Sequence, residues 1–280
     1  LTAELRQAAA DVRDPTRLER AVAEAFRFLG YDAAWIGGPG KTDVLIQAPL
    51  GVRRYRVIVD AKTSGRSRVS DQQIDWLSIK AHREKAEADY ACVIGPEFAA
   101  GYLNTRAEEF KVTLLTVEEL AELVQIHDTT PLTLTELRQL FDAIPSARTV
   151  LPQLRAAALE RRRKRRLLVE IMLQLDHFNR TQPDLVLAKP EPLFASIVAS
   201  GKNDLRGTTI EEVRRSLFLL ETLGIVSPIN GDGFVSNTSV AGGLRLLTAF
   251  LTLDADDLAE IERRAATASS WPQDVGGGRL

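Results

Sequence analysis

The chain has 280 residues, 45% of them hydrophobic and 26% charged, with a formal net charge of −2. Such a composition belongs to a globular protein of one large or two medium domains, long enough to bury a core. The near-neutral balance excludes a uniformly basic nucleic-acid coat, the single cysteine Cys92 excludes an intrachain disulfide framework, and His82, His127 and His177 lack zinc-ligand spacing.

No apolar run approaches the roughly 20 residues of a membrane helix. No secretory leader opens the sequence, so a cytoplasmic protein with no membrane partner is expected.

Asp14-Pro15 ahead of Thr16-Arg17-Leu18 supplies an N-cap and a first-turn proline, and Gly30 supplies a stop, so a helix is expected over residues 15–29. Its apolar stripe is Leu18, Val22, Ala25, Phe26 and Leu29. At about 100° per residue, Glu19 falls beside Val22 and Phe26 on the buried side. Two readings stand for Glu19, an exposed boundary carboxylate and a third acid aimed at the strands that follow. Gly37-Gly38-Pro39-Gly40 forms the next loop, without the Gly-x-x-x-x-Gly-Lys-Ser/Thr pattern of a phosphate-binding loop.

Two apolar runs of strand length, one from Val44 to Ile46 and one from Tyr55 to Val59, flank the turn from Pro49 to Arg54 and read as a hairpin. Antiparallel pairing brings Asp43 and Asp60 to the same end. The period of two places Asp60 and Lys62 on one face and turns Ala61 away. Two carboxylates and an ammonium at a sheet edge suit a hard divalent cation such as Mg²⁺, held by Asp43, Asp60 and the Ala61 carbonyl. Lys62 would then orient a water or neutralise a phosphate. Carboxylate pairs at strand ends also occur as plain surface acids.

The polar, basic stretch from Thr63 to Arg68 precedes a helix expected over residues 70–87, a strand at 90–94, a helical stretch at 98–110 and a strand at 112–115. A helix between strands implies a crossover and parallel pairing. The first half is therefore expected to be α/β, a mixed sheet flanked by helices and closed by helices at 117–126 and 134–143. Lys41, Arg66 and Arg68 are the basic side chains around the hairpin expected to meet DNA.

Pro145 and Pro152 bracket a change of character, and a basic helical linker is expected over residues 149–166, carrying Arg161-Arg162-Arg163-Lys164-Arg165-Arg166. Such a run is either a solvated face or a phosphate contact. A winged-helix-like domain is expected over 167–245. Its helices are Leu167 to Phe178, Leu193 to Ser200 and a capped one from Thr209 to Leu223, followed by a hairpin around Asn230-Gly231-Asp232-Gly233. In that arrangement the third helix offers Arg214 and Arg215 to a DNA groove. The alternative is a protein contact. Residues 246–280 are expected to be further helices and a flexible tail containing Gly276-Gly277-Gly278.

Thr42-Asp43 followed by Asp60-Ala61-Lys62 resembles the motif of the PD-(D/E)xK nuclease superfamily, and residues 15–142 resemble the cleavage domain of the type IIS restriction enzyme FokI. Leu18-Glu19, Gly30-Tyr31, Gly37-Gly38, Lys41, Gln73 with Asp75, Leu115 to Leu120 and Leu132 to Arg138 carry the rest of the likeness. The resemblance implies a restriction-endonuclease-like fold and a Mg²⁺-dependent endonuclease of double-stranded DNA in restriction or phage defence. In it Asp43 and Asp60 are metal ligands and Lys62 is the catalytic lysine. It also implies that the helix after Lys62 pairs two cleavage domains through Asp75 and an Arg one turn on; here Ile79 stands at the Arg position, and a homodimer or a partner subunit during cleavage is expected. A structure-specific repair nuclease and an inactive DNA-binding or assembly protein are the other readings.

Overall fold

The computed structural model describes residues 1–38, 40–65, 68–181, 189–229, 233–252, 257, 259–261, 263 and 264. They divide into two compact units, within Leu1–Ala158 and within Leu159–Ser269. Among the described residues no helix is long and apolar enough to cross a membrane.

The first unit opens with α1 (Thr2–Ala10) and α2 (Pro15–Phe28). Proline at the first helical position and a stripe of Leu18, Ala21, Val22, Ala25 and Phe26, all buried, explain α2. A five-stranded sheet follows in the spatial order β1 (Asp32–Trp35), β2 (Val44–Ala48), β3 (Tyr55–Ala61), β4 (Tyr90–Gly95) and β5 (Val112–Thr116). The first three strands are antiparallel neighbours, and β3, β4 and β5 run parallel. Between the parallel strands lie α3 (Trp76–Lys85) and α4 (Tyr102–Phe110), the right elements for crossovers. Helices α5 (Val117–Thr129), α6 (Leu134–Leu137) and α7 (Gln139–Asp142) complete the unit.

Alternation along the strands divides the core in two. Val57, Val59 and Ala61 pack with α1, α2 and α5 residues such as Leu5, Leu18, Phe26 and Leu120. Ile58 and Val93 face the other way, toward Trp76 and Ile79 of α3 and Leu103 of α4. The mixed sheet flanked by helices is thus as expected. Two elements were not legible: α1, whose single apolar turn is short, and β1, a four-residue edge strand with no alternating pattern.

The helix expected over residues 70–87 starts late. Asp71–Gln73 forms a 3₁₀ turn and α3 begins at Trp76, because the Asp75 carboxylate accepts the Ser78 N–H at 3.0 Å and the Ser78 hydroxyl at 2.8 Å. An Asp at an N-cap ends the preceding turn and starts a new helix. The stretch from Phe98 likewise becomes helical only at Tyr102.

The basic run and the helix expected at 167–178 are one helix, α8 (Leu151–Thr181). It contributes Leu151, Leu154 and Ala158 to the first core and Leu167, Ile171, Met172 and Leu175 to the second. The second core is completed by α9 (Pro190–Ala199), α10 (Ile210–Thr222), the antiparallel pair β6 (Val226–Ile229) and β7 (Gly233–Ser236), and α11 (Val240–Leu251). The Thr209 and Glu212 capping box forms as expected. Asn230, Gly231 and Asp232 of the hairpin turn, and Gly276 to Gly278, lie outside the described residues.

Candidate active site

Pairing of Val44 with Val59 sets Asp43, just before β2, across from Asp60 near the end of β3. Asp43 Oδ2 accepts the backbone N–H of Ala61 at 2.7 Å, which ties the two strand ends together. Thr42 reinforces the same end by donating its hydroxyl to the carbonyls of Val59 and Val44 at 3.2 and 3.3 Å. Beyond β3, the Lys62 N–H bonds the Ile94 carbonyl of β4 at 2.7 Å, which extends the parallel pairing by one residue and aims the Lys62 side chain.

Lys62 Nζ lies 3.0 Å from Asp60 Oδ1 and 2.8 Å from Oδ2, with the lysine side chain 28% and the aspartate 19% exposed. The alternation read from the sequence holds, since Asp60 lies on the Ile58 face and Ala61 packs into the opposite core. Burial, the neighbouring Asp60 charge and the Glu19 charge push the Asp43 carboxyl up to about 7, against the lowering pull of the Ala61 N–H and of Lys62. For Lys62, burial favours loss of the proton, but the charges of Asp60, Asp43 and Glu19 outweigh it and hold the ammonium above its ordinary value.

A divalent cation fits this donor set. Two carboxylates face each other in a half-buried place with one ammonium beside them, so like-charge repulsion stays only partly relieved. Asp60 Oδ2 is buried and, apart from its ion-pair contact with Lys62, accepts no hydrogen bond. All-oxygen donors of this kind suit a hard ion. Among the described residues no group of three or more His, Cys, Asp or Glu side chains comes together closely enough to hold a metal ion.

Glu19 therefore sits beside the pair without joining it. Its carboxylate Oε2 accepts the indole N–H of Trp35, at the end of β1, at 2.7 Å, and its charge still reaches Asp43 and Lys62. Trp35 was not legible as a site residue, because only the pairing of β1 with β2 brings it to α2. Arg20 stacks on its ring at 4.3 Å. The Gly37-Gly38 pair has its local reason here, since a Cβ at Gly37 would lie 2.8 Å from the Trp35 ring.

The remaining expected residues are dispersed. Lys41 is exposed just ahead of Asp43. Arg68 is exposed and paired with Glu97 at 3.3 Å, and Arg66 lies outside the described residues. Asp75 is the exposed cap of α3, with hydrogen bonds from Ser78 lowering its pKa, while Ile79 is buried in the core. Arg214 pairs with Glu191 at 2.7 Å and Arg215 with Glu211 at 3.2 Å. Within the basic run, Arg163 is held by Glu160, Glu212 and the Thr208 hydroxyl, Lys164 by Glu160 and Arg166 by Asp204. Much of that run is spent on ion pairs inside its own unit.

Residues 10–124 match the family model described as a restriction endonuclease, Mrr_cat. Among solved structures, restriction endonuclease FokI matches at 21% identity and a TM-score of 0.44, over 50% of this chain and 30% of that one. FokI bound to DNA matches at 19% identity and a TM-score of 0.40, over 50% of this chain and 29% of that one. Each match thus spans under a third of the FokI chain. No curated protein sequence matches.

Proposed function

From residues 10–124 as a match to the restriction endonuclease family model, we propose that the first unit hydrolyses phosphodiester bonds in double-stranded DNA with the help of Mg²⁺. The observation that supports it most is the partly buried constellation of Asp43, Asp60 and Lys62 at one strand end.

Asp43, Asp60 and the Ala61 carbonyl are the groups that would hold the ion, which when bound supplies positive charge to the phosphoryl oxygens and acidifies a water. Lys62 remains an ammonium beside the acids, so it serves as a hydrogen-bond donor to a phosphoryl oxygen or to the attacking water and not as a general base. Asp60 fixes where that ammonium points. Asp43, anchored by the Ala61 N–H, presents its other oxygen to the same place. Trp35 restrains Glu19, which adds negative potential at the rim. Lys41 and Arg68 are exposed and serve as phosphate contacts on the approach. Three helices ahead of a hairpin support a winged-helix reading of the second unit. A restriction or phage-defence role, inside the cytoplasm where foreign DNA arrives, is the physiological reading.

Incubation with a long mixed-sequence plasmid and Mg²⁺, followed by sequencing of the ends, tests this. Cutting is expected from the parent and a loss of at least about 100-fold from Asp60→Ala. Equal cutting by the variant would remove the site from the mechanism, and no cutting by a folded parent would favour an assembly role.

A further inference from the structure

Helix α10 presents a solvent face unlike that of a nucleic-acid-reading helix. Glu211, Arg214, Arg215, Phe218, Leu219 and Thr222 are exposed along it, while Val213, Leu217 and Leu220 are buried in the core. Phe218 is 61% and Leu219 44% exposed. Arg214 holds Glu191 through Nη2 and Arg215 holds Glu211 through Nε, so each has one acid of its own unit and keeps further guanidinium donors for a second partner. Beside Phe218 lies a groove of about 450 Å³ lined by Pro190, Arg214, Pro228, Ile229 and Phe234. A large apolar side chain at the centre of an exposed stripe, next to an apolar groove, marks a surface that another protein covers.

The charges along the stripe specify what that protein is. Glu211, Arg214 and Arg215 lie before Phe218 along the stripe, with Arg215 already on Glu211, and Glu221 lies after it. If two copies of α10 pack antiparallel about a two-fold axis at Phe218, a residue several positions before Phe218 lies level with one as many positions after it on the partner. Arg214 then comes level with Glu221 and Thr222 of the second copy. At about 100° per residue, Arg214 and Glu221 also fall on the same flank of the helix, roughly 40° and 60° from Phe218. The two-fold repeats the pair, so one apolar centre is bracketed by two opposite-charge contacts. An isologous interface requires this self-complementarity.

We propose that the α10 face is a homodimer contact, with the Phe218 rings at the two-fold and Arg214 of each copy facing Glu221 of the other. A contact centred on one helix is expected to give a dimer at about micromolar or higher concentration. The contact does not rest on the nuclease reading.

The test is sedimentation of the full chain from about 1 to about 300 μM, without DNA or metal. A concentration-dependent monomer–dimer equilibrium is expected, weakened at least tenfold by Phe218→Glu. Arg214→Glu alone and Glu221→Arg alone set like charges across the two-fold and each weaken self-association. Mixed in equal amounts they form a heterodimer tighter than either homodimer, because every contact in the mixture is again between opposite charges. A parent that stays monomeric throughout overturns the proposal, as does a mixture no tighter than its parts. Phe218→Glu and Arg214→Glu chains that associate normally but lose affinity for duplex DNA would assign the face to DNA instead. Plasmid cutting by the same preparations reports separately on the nuclease reading.

Discussion

Replacing Asp43 by asparagine isolates the electrostatic strain at the strand end. In the folded protein the Asp43 carboxyl is pushed up to about 7, from an ordinary 3.8, by burial first and then by Asp60. A carboxyl raised on folding ionises less readily in the native state than in the unfolded chain. Its contribution to stability is therefore complete below about pH 4 and is lost as the pH rises through about 7. About three pH units at 1.36 kcal/mol each bound the loss at roughly 4 kcal/mol, and partial access to water lowers it to about 2–3 kcal/mol. The substituted amide has no proton to lose, and its oxygen still accepts the Ala61 N–H. With chelator at pH 8, Asp43→Asn is expected to unfold about 5–10 °C above the parent. At pH 4 the two are expected to melt together. Mg²⁺ is expected to raise the parent's Tm and leave the variant's unchanged, closing the gap. The assay is thermal unfolding followed by circular dichroism across pH. A variant no more stable than the parent at pH 8 with chelator, or a difference that ignores pH, would refute the reasoning.

Two further predictions concern packing around buried charge and the indole clamp. Glu170 is 1% exposed and accepts from Lys202 and Gln174, so Lys202→Met strands a buried carboxylate and is expected to destabilise the second unit by about 3 kcal/mol at pH 7 in urea unfolding. The Lys202 and Gln174 hydrogen bonds overcome burial to lower the Glu170 pKa, so the lost stability is that present above about pH 4.5, and parent and variant converge as the pH falls below it. Gly37→Ala sets a Cβ 2.8 Å from the Trp35 ring at a backbone φ of 54°, and a loss of about 1–3 kcal/mol with a changed near-UV spectrum is expected. An unchanged spectrum and unchanged stability would show that the loop does not hold Trp35.

The amino-acid sequence alone determined what depends on local periodicity. Alternation in Tyr55 to Ala61 places Asp60 and Lys62 on one face, and a turn between two apolar runs brings Asp43 level with them; no distant contact is needed for either. The parallel crossovers after β3 followed from strands separated by helices. Even the late start of α3 had a local signal, an Asp three residues ahead of a Ser that its carboxylate reaches twice.

Tertiary structure decided the partners of long polar side chains, because a residue's neighbours in space are set by elements far away in the chain. Glu19 read either as a boundary carboxylate or as an acid aimed at the hairpin; β1 delivers Trp35 to hold it while its charge still reaches Asp43 and Lys62. Arg163 read as part of a basic run, yet packing around α10 binds it between two glutamates. Arg214 and Arg215 read as bases for a DNA groove or as part of a protein contact; folding gives each an acid of its own unit and leaves Phe218 exposed between them and Glu221. Backbone pattern is written in neighbouring residues, whereas charge pairing and the leftover apolar surface exist only after the chain has closed on itself.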